Sequence, residues 1–341
     1  VKFRGAILVS IAGEPVFKRG FGPRIPDSPP GSAGAKPIDA DSIYEIASIA
    51  KPFTAIAILR LVEQKKLSLD DEATRWLSPA ANPADTASPL RGITIRHLLS
   101  HSSGLDNDTG ISPYAEPSRD AAVAKFLASK VQTKPGEKFA YNNAGYIMLA
   151  VILEKVSGKS FEQCMRDEVF TPAGMTSSGF PPGDTLDATQ SVQRKPGITM
   201  LTHPWGWGYR GCGGILTTLN DLTKFDRALR DGKLLSPESI EVMSRPVVKA
   251  EGPTPRGSYA LGWFVDQTPD GRARLWHSGG SFGVRANLVR IPESEVLIVA
   301  LCDDTAEPFA MTTLAERLVL KELPRREAGT RPPSPGAAPV P

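Results

Sequence analysis

The sequence has no apolar run long enough to cross a bilayer. Its longest, over residues 54–62, is broken by Arg60 and falls far short of the ~20 residues that a spanning helix needs. No signal peptide is visible, and the chain opens directly on a strand-like segment. A surplus of one charge is also missing. Lys and Arg number 40 against 37 Asp and Glu, for a net charge of +3. That balance excludes a protein held to nucleic acid through phosphate contacts. No run of like charges reads as a basic arm. Cysteine is scarce: Cys164, Cys212 and Cys302 are far apart and odd in number. They make neither a disulfide framework, nor a CxxC pair, nor a zinc spacing, and they read as small buried side chains. No motif asks for a metal or a cofactor, and no internal repeat is present.

What remains is ordinary material for a globular fold. The 341 residues are 40% hydrophobic, enough to bury a core without staples. At roughly 150 residues per domain this is two domains, or one with an insertion. The first strands lie at 6–11 and 15–17, with Ala12-Gly13 as their turn. Residues 23–36, rich in Pro and Gly, read as a surface loop. Residues 53–62 are apolar nearly all round, which predicts a buried helix, and Pro52 marks its first turn. The middle third is helical. Thr94 caps 95–100, a second apolar helix covers 145–156, and a third over 161–170 stops at Pro172. Thr218 or Asn220 caps a fourth over 222–230. Strands return at 261–265, 274–277, 286–291 and 296–302, at hairpin spacings that make the sheet antiparallel. A helix over 308–322 follows, and residues 324–341 read as a Pro-rich disordered tail. This order predicts an α/β fold. An antiparallel sheet domain built from 1–65 and 240–323 is flanked by helices, and a mainly helical domain, 66–239, is inserted into it.

Three short elements carry chemistry. Ser48-Ile49-Ala50-Lys51 is the one S-x-x-K in the chain. A serine needs a base beside it to act as a nucleophile. A spacing of three on a helix puts the lysine on the same face, and burial equips a lysine to be that base. A helix start at Ser48 adds free backbone N–H groups where negative charge would develop. The bland alternative is a solvent-facing Ser and Lys, but an idle lysine at the head of so apolar a helix would be costly. Tyr141-Asn142-Asn143 is the one Y-x-N. Beside a serine–lysine pair its tyrosine can relay a proton to a leaving group. Asn143 can hold the lysine or a substrate amide, or simply cap the next helix. His277-Ser278-Gly279-Gly280 ends a predicted strand, where glycines admit a ligand to the strand edge or merely form a turn.

Together, S-x-x-K, Y-x-N and a K-T-G-like strand resemble the penicillin-recognising serine enzymes. With Y-x-N in the middle the chain is similar to the class C β-lactamase family, which also includes D,D-peptidases and carboxylesterases. The resemblance covers about residues 5–320. It includes Arg96-His97-Leu98-Leu99-Ser100-His101-Ser102-Ser103-Gly104-Leu105, Pro172-Ala173-Gly174-Met175, Gly213-Gly214-Ile215-Leu216-Thr217-Thr218 and Leu261-Gly262-Trp263. It implies the β-lactamase/transpeptidase-like fold and a cofactor-free hydrolase acting on a small ester, amide or peptide. Ser48 becomes the acylated nucleophile, and Lys51 and Tyr141 share general-base and general-acid work. Asn143 contacts Lys51 and substrate, and the N–H groups of Ser48 and Gly280 form the oxyanion hole. His277 and Ser278 line the substrate site. The family's motif has lysine where His277 stands. Histidine is the weaker anion anchor, so the resemblance implies a carboxylesterase or D-peptidase with weak β-lactamase activity. A catalytically silent penicillin-binding or scaffold protein is the alternative. A periplasmic or secreted location goes with the family.

Other patterns carry less. Gly279-Gly280-Ser281-Phe282-Gly283 fits G-x-S-x-G, but a strand rather than a helix is expected after it. Residues 206–211 fit G-x-G-x-x-G with no strand before them. His97 and His101 are four apart without the glutamate of a zinc protease, and both read as structural. Trp205, Trp207 and Tyr209 form an aromatic loop, either packing between domains or, through Trp207, walling an acyl pocket.

Overall fold

Ala12 and Gly13 both take positive φ, 54° and 81°, the conformation a tight hairpin turn demands. They join β1 (Gly5–Ile11) to β2 (Glu14–Phe21). The later strands are β3 (Tyr44–Glu45), β4 (Leu216–Thr217), β5 (Val248–Lys249), β6 (Ser258–Tyr259), β7 (Phe264–Gln267), β8 (Ala273–Ser281), β9 (Val284–Ile291) and β10 (Val296–Cys302). In this computed structural model the described residues are 3–32, 35–77, 90–105, 109–112, 115, 118–181, 186–192, 206–251, 257–281, 283–303 and 307–323. The Pro-rich segment 324–341, Trp205 and Phe282 lie outside them.

Eight strands form one antiparallel sheet in the order β2-β1-β10-β9-β8-β7-β6-β5. Strand β1 pairs with β10 from Gly5 opposite Cys302 to Ile11 opposite Val296, so residues far apart in sequence lie side by side in the sheet. Strand β10 is apolar and buried throughout. Its side chains alternate between two cores, with Leu297, Val299 and Leu301 facing one and Val296 and Ile298 the other. At one edge β2 is mostly exposed and carries Pro15, Lys18 and Arg19, which discourage pairing with another chain.

The helices are α1 (Ala50–Glu63), α2 (Thr74–Leu77), α3 (Ile95–Leu99), α4 (Arg119–Leu127), α5 (Asn143–Ser157), α6 (Phe161–Met165), α7 (Thr171–Ala173), α8 (Leu219–Arg230), α9 (Pro237–Ser244) and α10 (Pro308–Glu322). Helices α1, α5 and α8 share the larger core with one face of the sheet, and α10 packs on the other. Every residue of α1 from Ala50 to Leu59 is buried, as its all-round apolar sequence predicts. No helix among the described residues is long and apolar enough to cross a membrane.

Two sequence expectations change, and one left open is settled. The helix over 161–170 does not stop at Pro172. A π-helical turn, Arg166–Phe170, links α6 to α7, and the helix ends at Gly174 with φ 71°. The wider turn relieves the clash that an α-helical carbonyl at Glu168 would make with the Pro172 ring. Leu261-Gly262-Trp263 is a buried bend ahead of β7. Gly262 has φ +86°, and a Cβ there would sit 2.8 Å from that of Ala55 in α1. Burial by packing and burial by pairing give the same apolar run. Thr218, rather than Asn220, caps α8, accepting from the Asp221 N–H. All three cysteines are free and buried, and burial pushes the Cys212 thiol up to about 11.

Candidate active site

Ser48 sits in a 3₁₀ turn, Ala47–Ile49, that runs directly into α1. Ser48 is half-exposed while its neighbours Ala47 and Ile49 are buried, so its hydroxyl is open to a ligand. One turn later, Lys51 is completely buried. Its Nζ donates to Ser48 Oγ at 3.1 Å, to Asn143 Oδ1 at 2.9 Å and to the Cys212 carbonyl at 3.2 Å. Three acceptors match the three protons of an ammonium. The Tyr141 and Tyr146 rings close the remaining sides, with centroids 4.8 and 5.5 Å from Nζ, a placement that favours a cation.

The Cys212 carbonyl is delivered by a glycine-rich loop. Gly211 has φ +78°, and a Cβ there would lie 2.2 Å from the Tyr146 carbonyl oxygen. Only glycine lets this loop approach so closely. The same loop accepts a hydrogen bond from the Thr54 hydroxyl at the Gly211 carbonyl, 2.8 Å.

Tyr141 is held from both sides by one residue. The carbonyl of His101 accepts from the Ala140 N–H at 2.8 Å, and its Nδ1 accepts from the Asn142 N–H at 3.0 Å. The imidazole lies 4.3 Å from the Tyr141 ring, centroid to centroid. Nδ1 can accept only when unprotonated. Burial holds the His101 pKa well below its ordinary value, and the nearby Lys51 charge pushes the same way. The helix after Tyr141 is capped by Asn142, whose side chain accepts from the Gly145 N–H. Asn143 is thereby left to reach Lys51. His97 completes a capping box with Thr94 at the head of α3.

The third element arrives on β8. Its pairing with β7 runs only from Ala273 to Trp276, so from His277 onward that edge has no strand partner among the described residues. A Cβ on Gly279 would lie 2.2 Å from the Ile46 carbonyl oxygen, which brings the strand against the segment that precedes Ser48. A Cβ on Gly280 would meet nothing within 4 Å, and Gly280 is exposed beside half-exposed Ser278. His277 is 1% exposed. Its Nδ1 is 2.7 Å from the Ser278 carbonyl oxygen and its Nε2 is 3.0 Å from the Tyr259 hydroxyl. A neutral ring with its proton on Nδ1 satisfies both contacts. The ring is thus engaged by the protein at both nitrogens.

Trp207 lies in a 3₁₀ turn, Trp207–Tyr209, half-buried against the helical core with the Arg210 guanidinium 5.6 Å from its ring centroid. From this turn Tyr209 is the residue that reaches inward, donating to Glu45 Oε1 at 2.9 Å. Ser281 ends β8, and a strand follows it, so the G-x-S-x-G match is no nucleophile elbow.

Sequence reasoning passed over three participants. Glu45 is a buried acid three residues before Ser48. Its signal was a charge inside the apolar run 43–46, which is costly unless satisfied. His101 was read only as structural, and the Cys212 carbonyl carries no side-chain signal at all.

The buried lysine and half-exposed serine lie between a helical layer and an antiparallel sheet, and the fold is that of the β-lactamase/transpeptidase serine hydrolases. The chain belongs to the Beta-lactamase family, whose model matches residues 2–323. It is 28% identical over 355 residues to penicillin-binding protein 4* of Bacillus subtilis, covering 96% of this chain and 75% of that one. Among solved structures it is similar to a penicillin-binding protein from Bacillus halodurans, with TM-score 0.76, 27% identity, and coverage of 93% of this chain and 96% of that one. A D-amino acid amidase from Ochrobactrum anthropi shares the fold, with TM-score 0.75 at 20% identity over 94% of both chains.

Proposed function

We propose that the protein hydrolyses small esters or amides through an acyl-enzyme on Ser48. The observation that carries this reading is the 3.1 Å contact between Lys51 Nζ and Ser48 Oγ inside a cage that seals the lysine from water. Along that line Lys51, in its deprotonated form, takes the hydroxyl proton as Ser48 Oγ attacks the carbonyl carbon, and so becomes the ammonium that its cage satisfies. Tyr141, packed on Lys51, passes a proton to the leaving group. The N–H groups of Ser48 and Gly280 donate to the developing oxyanion. Water then attacks the acyl carbonyl and gives up a proton to the Lys51–Tyr141 pair, which returns one to Ser48 Oγ as its bond to the acyl carbon breaks.

The D-amino acid amidase named above acts on an amide, and the relatives named above are penicillin-binding proteins, which supports a site for small amide-like substrates. His277 supports weak penicillin hydrolysis, because both ring nitrogens are engaged inside the protein and a neutral imidazole is a poor carboxylate anchor. A fluorophosphonate probe should label the native chain and leave Ser48→Ala unlabelled. A panel of nitrophenyl esters, D-amino-acid amides and nitrocefin should give ester or amide turnover well above nitrocefin turnover. Equal labelling of the variant would dismiss Ser48 as nucleophile. No labelling or turnover of any kind would favour a silent penicillin-binding or scaffold protein.

A further inference from the structure

Glu45 is 1% exposed, and no Lys, Arg or His pairs with it among the described residues. Four donors converge on it instead. Oε1 accepts from the Ala47 N–H at 2.6 Å, the Tyr209 hydroxyl at 2.9 Å and the Gly214 N–H at 3.4 Å. Oε2 accepts from the Ser281 hydroxyl. Burial raises the Glu45 pKa above the usual carboxylate range, and the four hydrogen bonds offset only part of that rise. A buried acid with no cation is a costly device, and its location suggests its purpose.

Ala47 is the neighbour of Ser48, and it sits at φ +46°, a conformation that a non-glycine residue keeps only when its surroundings hold it there. Ser281 is the neighbour of Gly280. The two proposed oxyanion donors lie on separate elements, the 3₁₀ turn and β8, with no strand pairing between them. We infer that Glu45 is a positioning residue for the oxyanion hole: its two carboxylate oxygens tie Ala47 to Ser281 and so set the gap between the Ser48 and Gly280 N–H groups. Tyr209 and Gly214 steady the tie from the loop that gives Lys51 its Cys212 carbonyl. One carboxylate thus joins the nucleophile turn, the lysine's loop and the strand end. The inference rests on the acyl-enzyme reading of Ser48.

The tie can be cut at either end. Ser281→Ala removes the β8 arm at a half-exposed strand end and leaves the core intact. Glu45→Ala removes the whole tie. Glu45→Gln rebuilds it, since its amide oxygen accepts from Ala47 and Tyr209 while its nitrogen donates to Ser281. Steady-state kinetics on a nitrophenyl ester, with Tm measured for every variant, should show kcat falling about tenfold in Ser281→Ala. The fall in Glu45→Ala should be about a hundredfold, the scale of one lost oxyanion donor. KM should stay within about twofold of native, because only the transition state makes these contacts. Glu45→Gln should recover most of kcat. Native kcat in Ser281→Ala, or no recovery in Glu45→Gln at native Tm, overturns the positioning role while an inactive Ser48→Ala keeps the acyl-enzyme reading. Full activity in Ser48→Ala overturns both.

Discussion

Lys51 shows how neighbours satisfy a completely buried lysine. Its ammonium has three acceptors and two ring faces around it, so the charged form is satisfied without water. Replacing it with methionine keeps the stem and removes base and charge together. Lys51→Met should lower kcat on a nitrophenyl ester by about 10³-fold, within the range for a lost general base. A single-turnover acylation assay checks this, and near-native acylation would remove Lys51 from the chemistry. His101 acts one step further out, through Tyr141. Its pKa in the fold lies well below the ordinary 6.5. Below that pH the unfolded chain gains a proton that the folded chain resists. Stability from this group is therefore full above about pH 6.5 and is lost as pH falls, at up to about 1.4 kcal/mol per pH unit. His101→Asn suits the position, since asparagine tolerates the left-handed backbone seen there, φ 54°. Urea unfolding between pH 8 and 5 should show a shallower acid decline for the variant than for the native chain, with His97, which is also depressed by burial, cancelling in the difference. Parallel declines would refute the assignment.

Among elements, the decisive contact is the one between β8 and the turn that carries Ser48. Gly279 and Gly280 are neighbours in sequence with opposite surroundings. A methyl group at 279 collides with the Ile46 carbonyl oxygen at 2.2 Å, whereas one at 280 has open space. Gly279→Ala must push the strand off the segment that precedes Ser48, which costs about 1–3 kcal/mol for an overpacked site. It should lower both Tm and kcat. Gly280→Ala should fold with native Tm, and any loss it shows should be confined to turnover. Thermal melts of the two variants side by side make the comparison. A Gly279→Ala protein as stable as Gly280→Ala would mean that strand and turn are less closely joined than the structure has them.

At the scale of the molecule, the sheet draws its strands from both ends of the sequence, and this was readable because each strand announces itself locally. Ala12-Gly13 marks its hairpin, and the unbroken apolar run of β10 marks a strand covered on both faces. Ser48, Lys51, Tyr141 and Asn143 were legible for a similar reason, since each belongs to a short motif of side chains. Glu45 and His101 were not, because their meaning lies in partners more than 30 residues away, Ser281 and Tyr209 for one and Asn142 for the other. Such partners are chosen by packing, which no local pattern encodes. The same is true of what fastens the helical layer to the sheet. Asp226 of α8 accepts from Arg290 of β9 at 2.6 Å, with the two side chains 5% and 8% exposed. Their sequence positions gave no hint of the pair. Removing one member leaves the other charged, buried and unpaired, and that costs about 3–5 kcal/mol. Removing both leaves no stranded charge. Asp226→Ala should therefore move the denaturation midpoint strongly downward, while the double variant Asp226→Leu with Arg290→Met should regain most of the loss. Equilibrium urea curves for the native, single and double variants supply the test. A double variant as weak as the single would show that this junction depends on the ion pair itself rather than on avoiding an unpaired charge.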